Sequence, residues 1–132
     1  MAIERITFPG PGGTELSARL DMPEGPHLAT ALFAHCFTCG KDSPAARRIA
    51  GSLAAMRIAV LRFDFTGLGH SEGDFEKTSF SSNVNDLLAA CRYLSGRDMA
   101  PALLIGHSQG GAAVRKAAAQ LPPVSAVATL GA

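Results

Sequence analysis

A pentapeptide in the last third of the chain has the residue types and spacing of a nucleophile elbow. It reads Gly106-His107-Ser108-Gln109-Gly110. A tight turn of this kind between a strand and a helix lifts a serine hydroxyl above the sheet, and a Cβ on either terminal glycine would press on neighbouring backbone. The chemistry open to such a serine is nucleophilic attack on a carbonyl carbon.

The segments on either side predict the strand and the helix that an elbow requires. Residues 101–105 form a continuous apolar run, which is typical of a strand covered on both faces. After the elbow, small and apolar residues recur at spacings of three and four, the pattern of one helical face: Gly110, Ala113, Val114, Ala117, Ala118 and Leu121. We expect Pro122 and Pro123 to end that helix.

The composition describes one globular domain without the features of a nucleic-acid-binding or membrane protein. The chain has 132 residues, is 47% hydrophobic and carries a formal net charge of +1, so it can form a core but offers no basic surface. The first residues lack the apolar stretch of a signal peptide, and no segment approaches the ~18 apolar residues of a membrane span. Three cysteines do not make a disulfide framework. We therefore expect a cytoplasmic protein with a small-molecule partner, and no nucleic-acid or membrane partner.

Strand-like and helix-like segments alternate along the whole chain, which predicts an α/β fold with a mostly parallel sheet and flanking helices. An opening hairpin comes first, three strand–helix units follow, and a strand comes last. The predicted strands are 4–8, 15–22, 30–35, 58–65, 101–105 and 125–130, and the predicted helices begin at Pro44, at Ser82 and after the elbow. Ligands bind beyond the carboxyl ends of parallel strands, so the loops 36–42 and 66–75 should converge with the elbow.

A carbonyl under attack becomes an oxyanion, which needs hydrogen-bond donors aimed at it. The N–H of Gln109 is one candidate, because it stands at the start of a helix, where the dipole favours negative charge. The second donor should come from the loop after the first parallel strand, and the N–H of Phe37 is the candidate. This chemistry requires no cofactor and no metal.

Three blocks of sequence together resemble the α/β-hydrolase family in their order and spacing. They are 35–37 (His-Cys-Phe), 64–71 (Asp-Phe-Thr-Gly-Leu-Gly-His-Ser) and the elbow at 106–110. The family usually has glycine where this chain has Cys36. More narrowly, the chain is similar to the hydrolase domain of bacterial two-domain proteins in which a domain of the osmotically inducible protein C family follows.

The resemblance implies a serine hydrolase that attacks an ester, thioester or amide through an acyl-enzyme at Ser108. The family's catalytic order is serine, acid, histidine, but residues 109–132 contain no Asp, Glu or His. We therefore interpret residues 1–132 as the N-terminal half of one α/β-hydrolase domain, a truncated form of the fold. A serine without a base is a poor nucleophile, so this fragment should be inactive alone. Its last strand would be an exposed apolar edge that favours self-association.

Two other classes of function stay open. A binding or regulatory module could keep the fold without the chemistry, associated with a thiol-redox domain. A thiol-redox protein could use Cys36 and Cys39, which have the spacing of a redox pair, although Cys36 falls in the loop assigned to the oxyanion.

The remaining titratable residues near the three blocks are assigned mainly structural roles. His35 and His107 are expected to support the loop and the elbow, and His70 is left unassigned. Asp64 should accept hydrogen bonds from the backbone of its own turn. Cys91 lies on the apolar face of a predicted helix and should be a core residue.

Overall fold

The computed structural model describes residues 2–35, 40–121 and 124–131, and it confirms the predicted α/β architecture. Six strands form one sheet in the order β1-β2-β4-β3-β5-β6. The strands are β1 (Ala2–Pro9), β2 (Glu15–Met22), β3 (Ala29–Ala34), β4 (Ile58–Phe63), β5 (Leu103–His107) and β6 (Ala126–Leu130). The helices are α1 (Pro44–Ala55), α2 (Phe80–Gly96) and α3 (Gln109–Ala118), with a short 3₁₀ helix at Phe75–Lys77. No helix in these ranges is long and apolar enough to cross a membrane.

The pairing of the strands agrees with an opening hairpin followed by strand–helix units. The pairs β1–β2 and β2–β4 are antiparallel, whereas β3–β4, β3–β5 and β5–β6 are parallel. The strand order has a switch point at β3, because the next strand, β4, lies on one side of β3 and the following strand, β5, lies on the other. Ligand crevices form at such switch points, outside the carboxyl ends of the strands.

Each face of the sheet has its own apolar cluster. On one face, Ala46 and Ala50 of α1 pack with Phe33 and Val60. The other face is covered by α2 and α3 and holds the larger cluster, which includes Leu32. Leu32 and Phe33 are consecutive and fully buried, since neighbouring side chains of a strand point to opposite faces. Burial on both faces explains why this strand is continuously apolar.

Local signals decide where the helices begin and end. The helix α1 begins at Pro44 as predicted, and Ser43 caps it: its Oγ accepts a hydrogen bond from the N–H of Ala46 at 3.3 Å. The helix α2 begins at Phe80 rather than at Ser82, because Ser79 and Ser82 form a capping box.

The end of α3 differs from the expectation. The helix stops at Ala118, and the N–H groups of Gln120 and Leu121 bond back only three residues, as in a tighter turn of 3₁₀ type. The residue before Pro122 is Leu121, and a residue that precedes proline is disfavoured in the helical region, so a regular helix is not expected to extend through Leu121. Pro122 and Pro123 themselves lie outside the described residues.

Candidate active site

Ser108 joins β5 to α3 in a backbone conformation that non-glycine residues rarely adopt. Its φ is 57° and its ψ is −115°, far from the ψ of about +47° of ordinary left-handed residues. Among the residues that the structure describes, two other non-glycine residues have positive φ, Arg57 and Asp98, but both follow helix C-termini, where left-handed residues are common. Strain at Ser108 costs about 1–3 kcal/mol and is characteristic of functional sites.

Backbone hydrogen bonds hold the strained bend in place. The N–H of Ser108 donates to the carbonyl oxygen of Leu130 at 2.7 Å, and its own carbonyl accepts from the N–H of Gly111 at 2.8 Å. In the part of the chain that the structure describes, the half-buried Ser108 side chain does not cap α3. This argues against Ser108 as an ordinary capping serine.

The two elbow glycines are required by close backbone contacts, as predicted. A Cβ on Gly106 would overlap the carbonyl of Gly110. A Cβ on Gly110 would overlap the carbonyl oxygen of Ala34 and lie 2.8 Å from that of His35. The register agrees with this packing, because Ala34 at the end of β3 pairs with Gly106 in β5. The first turn of α3 therefore presses directly on the start of the loop that follows β3.

The structure places one of the two predicted oxyanion donors. Gln109 is the first residue of α3 and is exposed, and N–H groups in the first turn have no partner within their helix. Phe37, the other predicted donor, lies outside the described residues, as do Cys36 and Cys39. His35 is the last described residue before them and is fully buried. Its Nε2 accepts a hydrogen bond from the N–H of Phe65 at 3.4 Å, so it supports the loop as expected.

Asp64 accepts hydrogen bonds from a neighbouring loop as well as from its own turn, although only its own turn was predicted. Its Oδ2 accepts from the N–H of His70 at 3.0 Å, within its own turn. It also accepts from the neighbouring loop: Oδ1 from the N–H of Lys41 at 2.9 Å, and Oδ2 from the Lys41 ammonium at 2.7 Å. Both side chains are 1% exposed. Lys41 was not among the residues assigned a role from the sequence.

Arg62 extends this group of charges toward the hairpin and was also missed. Its Nε donates to Asp21 Oδ1 at 2.8 Å, and its Nη1 donates to the carbonyl oxygen of Lys41 at 2.7 Å. Nη1 lies 3.1 Å from Asp42 Oδ1. The sequence does contain a signal that could have pointed to Arg62: it is an arginine inside an apolar strand, and a buried charge requires partners. We refer to Asp21, Lys41, Asp42, Arg62 and Asp64 as the charge cluster.

Asp86 anchors the second loop of the site to α2. Its carboxylate accepts hydrogen bonds from the N–H of Thr66 at 2.8 Å and from the Thr66 hydroxyl at 3.0 Å. Burial raises the pKa of Asp86, and the two bonds from Thr66 oppose that shift in part. The loop that follows β4 is thus attached to a helix as well as to the charge cluster.

Two other predicted structural residues are buried in the scaffold. Cys91 is 3% exposed in the larger cluster, as predicted for a core residue, and burial raises the pKa of its thiol to about 12. The Nδ1 atom of His107 is buried and has no hydrogen-bond partner among residues 2–35, 40–121 and 124–131. Within those same ranges, no three His, Cys, Asp or Glu side chains are grouped as metal ligands would be.

A mostly parallel sheet with an elbow at its switch point is the arrangement of the α/β hydrolases, and comparison with known proteins agrees. The family model described as serine aminopeptidase, S33, matches residues 28–132. The chain therefore belongs to this hydrolase family. No curated protein sequence matches it.

Solved structures of esterases and hydrolases resemble the chain over almost its whole length. The esterase domain of a Rhodothermus marinus protein is 51% identical, with a TM-score of 0.80, over 98% of this chain and 50% of that one. Est1E from Butyrivibrio proteoclasticus, solved with ferulic acid, is 28% identical, with a TM-score of 0.85, and the match covers 92% of this chain and 50% of Est1E. A serine hydrolase without a lid from Xanthomonas campestris is 28% identical, with a TM-score of 0.80, and the match covers 93% of this chain and 58% of that one. The chain thus spans about half the length of these structures.

Proposed function

We propose that the protein containing these residues is a serine hydrolase that forms an acyl-enzyme on Ser108. The observation that carries the proposal is the strained backbone of Ser108 between two glycines that cannot bear a Cβ. Membership of a hydrolase family supports it. The Rhodothermus marinus structure, 51% identical, is described as an esterase domain, so we propose carboxylic esters as the first substrates to test, ahead of thioesters and amides.

In the proposed reaction, Ser108 Oγ attacks the carbonyl carbon of the ester while a histidine takes the hydroxyl proton. The oxyanion of the tetrahedral intermediate accepts hydrogen bonds from the N–H groups of Gln109 and Phe37. Collapse of the intermediate breaks the bond to the alcohol, which leaves with the proton from histidine. Water then attacks the acyl-serine while the histidine takes its proton, and the bond between the acyl carbon and Ser108 Oγ breaks, which releases the carboxylic acid and regenerates the hydroxyl with the proton from histidine. We place the histidine and its acid partner after Ser108 in the remainder of the domain, following the order of the family.

An irreversible fluorophosphonate probe tests this proposal on the full-length protein. We expect one adduct per chain, on the peptide that contains Ser108. No labelling of a folded protein would favour the alternative proposal, a non-catalytic module associated with a thiol-redox domain. Failure to label Ser108, together with rapid alkylation of Cys36 or Cys39, would favour the thiol-redox alternative.

The 132-residue chain alone is expected not to hydrolyse p-nitrophenyl acetate above the uncatalysed rate. Its serine has no general base after it in the sequence, and a hydroxyl without a base is almost fully protonated near neutral pH. The measurement compares equal concentrations of the chain, its Ser108→Ala variant and the full-length protein. Turnover by the chain that disappears in the variant would contradict this prediction.

We also propose that the 132-residue chain associates with a second copy of itself through β6. This strand is the last in the sheet order, and its Val127 and Leu130 side chains are 40% and 38% exposed. Exposed apolar edge strands pair with other chains. Light scattering across a dilution series should show a dimer that dissociates, and Val127→Lys should shift the chain to monomer. A wild-type chain that is monomeric at every concentration would contradict the proposal.

A further inference from the structure

A polar cavity of about 270 Å³ has no part in the proposed reaction. Its walls come from the hairpin turn after β1, the loop after β4, the 3₁₀ helix and the start of α2. The polar residues that line it include Thr66, Asp74, Lys77, Thr78, Ser82 and Asp86. We propose that this cavity binds a polyhydroxy group, such as a sugar ring, that is part of the ester cleaved by Ser108. This inference rests on the proposed function and names a substrate class for it.

The strand register places the polar cavity at the same edge of the sheet as the elbow. Ala34 at the end of β3 pairs with Phe63 of β4 on one side and with Gly106 of β5 on the other. Neighbouring strands are about 4.8 Å apart, so the ends of β4 and β5 are separated by about 10 Å. Thr66 follows β4 and Ser108 follows β5. A group held in the polar cavity can therefore be joined to an ester at Ser108 by a short linker.

Contacts between the loops hold the walls of the polar cavity in place. The N–H of Glu15 donates to Glu72 Oε1 at 3.0 Å, and the N–H of Glu72 donates to the carbonyl oxygen of Glu15 at 3.0 Å. Gly73 has a φ of 102°, and a Cβ on it would lie 2.6 Å from Thr66 Cγ2. Asp86 ties Thr66 to α2. The polar cavity is thus formed before a ligand enters, which lowers the cost of binding.

Three hydroxyl groups in the lining have already donated their protons. Thr66 Oγ1 donates to Asp86 Oδ1 at 3.0 Å, and Thr78 Oγ1 donates to the carbonyl oxygen of Phe75 at 2.6 Å. Ser82 Oγ donates to a carbonyl oxygen of the capping box at 2.9 Å. A hydroxyl has one proton and two lone pairs. These groups therefore have only acceptor positions left for a ligand.

Two carboxylates add further acceptors to the lining. Asp86 is 2% exposed, and Thr66 occupies one position on each of its oxygens. Asp74 Oδ1 accepts from the N–H of Glu76 at 3.1 Å. A carboxylate has about four lone-pair positions, so both side chains can accept more hydrogen bonds. The ligand that fits must supply several donors.

The lining selects a neutral polyol over other chemical classes. An anion would face Asp74 and Asp86, and an apolar group would cover their acceptors without bonding to them. The Lys77 ammonium disfavours a ligand that is itself a cation, but it can donate to a hydroxyl oxygen. Each hydroxyl of a polyol both donates and accepts, so it matches both kinds of group. The volume of about 270 Å³ is just below the ~300–1,000 Å³ of sites for drug-sized ligands, which suits one ring.

The test measures kcat/KM of the full-length protein for three acetate esters with the same linker. They are 3-acetoxypropyl β-glucoside, 3-acetoxypropyl cyclohexyl ether, which keeps a ring without hydroxyls, and the corresponding 4-aminocyclohexyl ether, which carries a cation. We expect the glucoside to exceed the cyclohexyl ether by about 10- to 30-fold, the effect of two net hydrogen bonds. The amino ester should gain less than about 3-fold over the cyclohexyl ether.

Two variants locate the preference in the polar cavity. Asp74→Asn keeps an oxygen that can accept from Glu76 but replaces the other acceptor with a donor, and Lys77→Met removes the ammonium. Both residues are exposed, so folding should be retained. Each variant should lower the glucoside-to-cyclohexyl ratio of kcat/KM by about 5-fold. The matched controls, Glu76→Gln and Lys116→Met, remove the same charges from exposed positions outside the lining and should keep the wild-type ratio.

The outcomes separate this inference from the proposed function. Equal kcat/KM for the glucoside and the cyclohexyl ether, or a wild-type ratio in both variants, would overturn the polyol site while Ser108 remains a nucleophile. A preference for the amino ester would overturn it in favour of a site for cations. A protein that hydrolyses none of the three esters and does not react with the fluorophosphonate would overturn the proposed function first, and this inference with it.

Discussion

Replacing Ser108 by alanine in the full-length protein is expected to lower kcat for an activated ester by a factor on the order of 10⁴ to 10⁶. The change removes the proposed nucleophile, and a histidine and two N–H donors cannot form an acyl-enzyme without it. Because Ser108 Oγ does not cap α3 in the described part of the chain, the alanine variant should keep its fold. The loss should therefore appear in kcat without a loss of thermal stability.

The matched control for this variant is Ser95→Ala, an exposed serine in the last turn of α2. Both changes remove one hydroxyl, so only the position differs. We expect Ser95→Ala to retain wild-type kcat and KM. A Ser108→Ala protein with more than about a tenth of wild-type activity would exclude Ser108 as the nucleophile, since its removal would then cost less than about 1.4 kcal/mol of barrier.

Replacing Gly110 by alanine is expected to destabilise the protein by about 3 kcal/mol and to abolish activity. The added Cβ overlaps the Ala34 carbonyl and approaches that of His35, and both are backbone atoms that cannot rotate away. Relief requires α3 to move away from the end of β3, which displaces Ser108 and Gln109 together. Urea denaturation of the variant and the wild type measures the change in the free energy of unfolding.

Gly51→Ala is the matched control for Gly110→Ala. Gly51 lies inside α1 and a Cβ there meets no atom within 4 Å. Alanine in a helix interior is favoured over glycine by about 0.5–1 kcal/mol, so this variant should gain stability. If Gly110→Ala unfolded at the same urea concentration as the wild type, the close packing of the elbow against β3 would be wrong.

The elbow was predictable from sequence because its signal is local. Five consecutive residues, a preceding apolar run and a following helical pattern fix the turn, and the structure adds the φ of Ser108 and the contacts of Gly106 and Gly110. The alternation of strand-like and helix-like segments predicted the opening hairpin and the parallel units, but not the order in which the strands lie in the sheet. The Ser79–Ser82 capping box was equally local and was overlooked.

The charge cluster could not be read from sequence in the same way. Asp64 bonds to Lys41 across 23 residues, and Asp21 bonds to Arg62 across 41 residues. Such pairs become neighbours only once β2, β3 and β4 lie side by side. The position of Arg62 inside an apolar strand indicates that its charge needs a partner, because a buried charge must be paired. The sequence does not indicate which carboxylate that partner is.

The measurement that tests the central claim most directly is the trapping of the acyl-enzyme. The full-length protein is mixed with an activated ester, the reaction is stopped with acid within one turnover, and the peptides are mapped by mass spectrometry. We predict that the acyl group is found on Ser108 and disappears when the trapped sample is allowed to turn over. Acylation of Cys36 or of another serine, or turnover with no acylated residue, would contradict the account.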